Sequence, residues 1–174
     1  MWFGTVEGLA RFDGVSFTVF DRSRTRDLLG TAVNHLVEDE QGDLWISTNG
    51  GLTRRRNGVF RTFTTIDGLP NDLVNSTHLG EDSSLWIATD TGLAVLQGGV
   101  IRAIASGGGE TPPDAREIEL DDSGDVWITS SRGVYRFRGH RYAHFTTRDG
   151  LPTDSCWALL KSRDGSLWIG NPTG

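Results

Sequence analysis

The chain has 174 residues, enough for one ordinary domain with a sizeable core, and carries a net charge of −6. That charge excludes a nucleic-acid partner, because phosphate binding needs a basic surface. A lone cysteine, Cys156, excludes an intrachain disulfide, and no apolar run is long enough to form a membrane-spanning helix. No charged leader followed by an apolar stretch is visible, so a signal peptide, if the parent protein is exported, is expected outside this piece.

In chain order, one pattern returns. Trp2-Phe3-Gly4-Thr5 leads to Gly8-Leu9, and Leu44-Trp45-Ile46 leads to Gly51-Leu52. Leu85-Trp86-Ile87 leads to Gly92-Leu93, Val126-Trp127-Ile128 leads to Gly133-Val134, and Leu167-Trp168-Ile169 follows. After the first step of 43 residues the tryptophans recur every 41, a period that indicates a repeat architecture. Three apolar residues in a row predict a short strand covered on both faces. The glycine six positions after each Trp predicts a tight hairpin with positive φ.

Each repeat adds a third strand, marked by Phe17 and Phe20, Phe60 and Phe63, Ile101 and Ile104, or Tyr142 and Phe145. A further strand precedes each full Trp strand, over 33–37, 74–79, 115–120 and 156–161, joined to it by polar turns such as Asp39-Glu40-Gln41-Gly42. Four short antiparallel strands per repeat, with no helical period, predict an all-β protein: a β-propeller of about four repeats in a single domain over 1–174. Residues 2–20 supply the second to fourth strands of a blade, and residues 155–171 a first and a second. The second strand would be present twice in a closed ring, so an open arc is expected. Its uncovered ends predict further blades or a second copy of the chain as partners.

The links between repeats are Asp67-Gly68-Leu69-Pro70 and Asp149-Gly150-Leu151-Pro152, with Asp27-Leu28-Leu29 in the first repeat. The third link, Gly107 to Gly109 followed by Glu110-Thr111-Pro112-Pro113, reads as a mobile loop.

The five repeat tryptophans read as a core column, and Cys156 as a small buried hydrophobe in line with Val33, Val74 and Ala115. Arg54-Arg55-Arg56 reads as an exposed, edge-protecting run. Asp121 to Asp125 lacks calcium-loop spacing and reads as a solvated turn. The four histidines have no metal spacing, and no motif places a nucleophile; no metal, cofactor or catalytic residue is assigned. Candidate ligand residues are Trp157 and Arg116, in the column of Asn34 and Asn75 on the innermost strand. Asn49, Asp90 and Arg132 at hairpin tips, and Asn71 and Asp72 in a link, complete the set, because variable loops on a rigid scaffold are where recognition sits.

The order D-G-L-P, then D-x-x-G-x-L-W-I-G, then G-L, carried best by Asp67 to Pro70 and by Asp164 to Gly170, resembles the two-component regulator propeller repeat. The resemblance covers essentially the whole chain. It implies seven-bladed rings and the periplasmic sensory part of bacterial hybrid histidine kinases, often responsive to oligosaccharides. The expected function is therefore non-catalytic ligand sensing, outside the cytoplasm. The alternatives are an interaction scaffold, or a propeller lyase or glycosidase, which would need paired carboxylates converging on the axis, whereas Glu117 and Glu119 occur in one blade only.

Overall fold

The computed structural model describes residues 1–105 and 110–172. Among the described residues seventeen strands form five separate antiparallel sheets. Blade I holds β1 (Trp2–Thr5), β2 (Gly8–Phe12) and β3 (Phe17–Phe20). Blade II holds β4 (Val33–Glu38), β5 (Leu44–Thr48), β6 (Gly51–Arg56) and β7 (Val59–Phe63). Blade III holds β8 (Val74–Leu79), β9 (Leu85–Thr89), β10 (Gly92–Gln97) and β11 (Val100–Ala103). Blade IV holds β12 (Ile118–Leu120), β13 (Val126–Ser130), β14 (Gly133–Arg138) and β15 (Arg141–Phe145). Blade V holds β16 (Ala158–Lys161) and β17 (Leu167–Gly170). Strands follow chain order across every sheet, which is the propeller-blade meander. Blade I lacks a first strand and blade V ends at its second, and among the described residues no ladder joins them, so the blades form an open arc.

The period-two pleat explains the three-residue apolar run. Leu44 and Ile46 point toward blade I, packing with Leu9, Phe60, Trp2 and Phe20. Trp45, between them, points the other way, into a cluster with Leu85, Ile87, Leu96 and Ile101 of blade III. One blade on, Trp86 packs against Ile118, Val126, Ile128 and Phe137 of blade IV. Trp2, Trp45 and Trp86 thus each pack on the apolar pair that flanks the Trp of the following blade, and burial on both faces supplies the main stabilisation. Trp168 departs from the expected core column. Its side would pack on a blade after V, and it is 66% exposed where Trp45 is 5% exposed. At the opposite end Phe3, Phe17 and Val19 of blade I are likewise uncovered.

The hairpin glycines have the predicted positive φ, from 121° to 141°. At Gly51 and Gly133 a Cβ would also lie 2.4 Å or less from the carbonyl oxygen of Phe63 or Phe145, so the outer strand's end closes over the hairpin only because no side chain is there. The D-G-L-P link is a single 3₁₀ turn. Asp67 accepts from the Thr64 backbone N–H, Gly68 caps the turn at φ 112°, and Leu69 drops into the core. Thr146, Asp149 and Gly150 repeat it, and in the first repeat buried Leu28 takes the place of Leu69. Of the expected mobile loop, Gly107 to Gly109 lie outside the described residues, while Pro112 is buried.

Two further expectations need correction. The first strand of blade IV starts at Ile118 rather than Ala115, because Arg116 and Glu117 form a bulge: Arg116 N–H donates to Thr129 O, and Thr129 N–H donates to Glu117 O. Blades II and III shift register at the same place, around Asn34 and Asn75. The Arg54–Arg56 run does not guard an edge, since β6 is paired on both sides. Arg56 binds Asp43, and Arg55 lies 4.9 Å over the Trp2 ring of blade I.

Candidate functional site

The bulge on each inner strand swings one side chain toward the next blade. Asn34 Nδ2 donates to Val74 O at 2.7 Å, Asn75 Nδ2 to Ala115 O at 2.8 Å, and Arg116 Nη1 to Cys156 O at 3.3 Å. These are one clamp, repeated every blade. Arg116 is further held by Asp114 at 2.9 Å and lies 5.9 Å from the Trp157 ring centre. Trp157, the next in the column, has no following carbonyl; it is 59% exposed and its indole N–H turns back to Ser155 Oγ. Cys156 is buried as expected, and burial pushes its thiol pKa up.

The hairpin tips and the links meet on one face of the arc. Asn49 Oδ1 accepts from the backbone N–H groups of Thr31 and Ala32. Asn71 Oδ1 accepts from Leu73 N–H, and Asp72 Oδ1 from Thr65 N–H. Ser131 bonds Asp114 through both its N–H and its hydroxyl. These residue types are accounted for by loop conformation, as Asx-type turns require. Asp90 contributes its backbone N–H to Leu73 O, and the exposed Arg132 reaches Glu110 at 3.8 Å. The candidate residues therefore divide, with Asn49, Asn71, Asp72, Asp90 and Arg132 on this face and Arg116 with Trp157 on the inner strands.

The inner strands also gather polar groups across blades. Ser76 Oγ donates to Glu117 Oε1 at 2.5 Å, and His78 Nδ1 stands 3.6 Å from Glu119 Oε2. Lys161 N–H donates to the other oxygen of Glu119. Burial lowers the His78 pKa, and the Glu119 carboxylate opposes that shift.

The opposite face of the arc carries a constellation that the column reading passed over. In blade II, Trp45 Nε1 donates to Asp39 at 2.8 Å, and Arg54 covers the ring at 5.7 Å. Arg56 binds the buried Asp43, and Phe63 packs 6.0 Å from the indole. Blade IV repeats the set with Asp121, Arg136, Arg138, Asp125 and Phe145 around Trp127. Asp125 is thus a buried ion-pair partner and not part of a freely solvated turn. In blade III the same five columns read Gly80, Ser84, Val95, Gln97 and Ile104. Cavities open on this face among the described residues. One of about 460 Å³ lies between blades II and III, beside Trp45 and Arg54, and one of about 740 Å³ lies between blades III and IV, beside Trp86. The sequence signal was present at positions −6, −2, +9, +11 and +18 from Trp45 and Trp127, but it becomes chemistry only once those positions are seen to gather at one indole.

Residues 27–50 match the two component regulator propeller family. No curated protein sequence matches the chain. Among solved structures, the extracellular domain of BT3049, described as a hybrid two component system of B. thetaiotaomicron, superposes with a TM-score of 0.84 at 21% identity over 97% of this chain and 25% of that one. The extracellular domain of BT4673 from the same organism superposes at 0.81, with 21% identity over 97% of this chain and 24% of that one. Virginiamycin B lyase from Staphylococcus aureus gives 0.74 at 16% identity, over 94% of this chain and 56% of that one. The chain therefore spans about a quarter of the length of the first two structures. The matched stretch, residues 27–50, runs from the first link into the Trp strand of blade II, and the same Trp period and strand order recur in the other repeats.

Proposed function

We propose that the chain is a non-catalytic, ligand-sensing segment of a bacterial two-component signalling receptor, lying outside the cytoplasm and responding to an oligosaccharide. The observation that carries this reading is the contrast between blade cores that repeat and exposed groups that do not. The hairpin tips differ from blade to blade, as at Asp90 and Arg132, and the innermost column changes from Asn34 and Asn75 to Arg116 and Trp157. A rigid scaffold bearing varied polar and aromatic groups is suited to recognition. The family match and the likeness to extracellular receptor domains support it. Further blades, or a second copy of the chain, would cover the apolar ends of the arc. A thermal-shift screen with oligosaccharides tests the reading: a saturable shift with one class supports it, and depolymerisation of any of them overturns the non-catalytic part.

The second reading is a propeller lyase. It is favoured by the likeness to virginiamycin B lyase and by Glu117, Glu119 and His78 gathered on the inner strands. Turnover of a streptogramin B by this chain would establish it.

A further inference from the structure

Trp86 is half-buried, and no described residue of its blade supplies what blades II and IV supply to Trp45 and Trp127. The indole acceptor Asp39 or Asp121 is replaced by Gly80, where a Cβ would already sit 2.6 Å from Ser84 Oγ. The ring-covering arginine, cross-strand from the Trp in blades II and IV, is Val95. The flanking phenylalanine is Ile104, and the outer ion pair is reduced to Gln97 donating to Asp82 at 2.9 Å. Gly80, Ser84, Val95, Gln97 and Ile104 all line the 740 Å³ cavity together with Trp86. Its walls carry the carboxylates of Glu81, Asp82, Asp121 and Asp122 against the single ammonium of Lys161, which is committed to Asp122 at 2.9 Å. Arg102, the next residue outward from Val95, is exposed and does not line the cavity.

We infer that this cleft is a binding site for a small organic cation that also carries a hydrogen-bond acceptor, a basic amino acid being the simplest example. Its guanidinium or ammonium group would lie over the Trp86 ring, in the volume that Arg54 and Arg136 fill in the neighbouring blades. The surrounding carboxylates favour that charge, and cation–π attraction is strongest at a tryptophan face. The ligand's carboxylate would accept the Trp86 indole N–H, as Asp39 and Asp121 do for Trp45 and Trp127. The cavity is large enough for such a molecule with its bound water.

The test is titration of the ¹⁵N-labelled chain with L-arginine through the millimolar range, following the tryptophan indole N–H signals, with glucose, cellobiose and sodium chloride as controls. We expect one indole signal, absent in Trp86→Phe, to move saturably with arginine only. Val95→Arg places a covalent guanidinium in the slot and should weaken arginine binding about tenfold or more, the worth of one desolvated cation–π contact. The substitution repeats what blades II and IV already hold at that position, so the sheet should accept it. Ile104→Phe, which restores the missing ring, gives a second competitor. No saturation in the wild-type chain would overturn the inference, as would unchanged affinity in both variants. Movement of the Trp86 signal by neutral sugars and not by arginine would also overturn it, making the cleft a polyol site.

Discussion

Asn75 Nδ2 donates to Ala115 O at 2.8 Å, forty residues away and in the next blade, and Asn34 makes the same bond to Val74. The bond crosses from blade III toward blade IV beside a backbone bond from Ala115 N–H to Thr89 O, and the two together tie the blades at this point. Asn75→Ala leaves Ala115 O without that donor and should cost about 1–2 kcal/mol, a typical value for a lost, partly buried hydrogen bond. Urea denaturation would measure it. A cost indistinguishable from zero would show that water replaces the amide and that the clamp has no structural weight.

The same substitution at two repeat tryptophans should give different results. Trp45→Ala removes a buried ring packed on Leu85 and Ile87 and should cost about 3–5 kcal/mol. Trp168→Ala removes a ring that is 66% exposed and should cost less than about 1 kcal/mol. Equal losses in chemical denaturation would mean that the Trp168 face is covered in solution.

Tyr135 and Tyr142 give the chain an alkaline limit. Among the described residues both hydroxyls are buried without a hydrogen-bond partner, and desolvation raises both pKa values to about 12 from 10.0. The folded state therefore holds these protons more tightly than the unfolded state does. Stability is complete below pH 10 and is lost as pH rises toward about 12. Tyr142→Phe discards a hydroxyl that bonds nothing, so it should be neutral or stabilising at pH 7 and should flatten the alkaline decline. Thermal melts from pH 8 to 11.5, spanning the approach to that range, would show it. A decline unaltered by the substitution would place its origin elsewhere.

The uncovered ends of the arc make association the expected behaviour of the isolated chain. Phe3, Phe17 and Val19 at one end, and Trp157, Leu160 and Trp168 at the other, are exposed apolar groups on sheets with unpaired edges. Light scattering should show mass rising with concentration, and Phe17→Ser with Trp168→Ser should reduce it. A monodisperse monomer at all concentrations would contradict this.

The architecture was legible in the sequence because a propeller is a one-dimensional repeat. A 41-residue period, an apolar triplet and a glycine six residues later decide strand, hairpin and sheet order locally, so most strand positions agree. The open arc also followed from counting strands, since a chain with a spare second strand has no slot for it. What the linear pattern left out was direction and distance. It assigned Trp168 to the core with its fellows, but a side chain is buried only if a neighbouring blade stands on the side it faces. It read Arg54 to Arg56 as a surface run, because a column does not reveal that Arg54 covers the Trp45 indole or that Arg54 and Arg56 both face the buried Asp43. The five differences around Trp86 lie far apart along the chain. Tertiary packing brings Gly80, Ser84, Val95, Gln97 and Ile104 around Trp86, and only there do five separate losses become one vacancy with a charge and a shape.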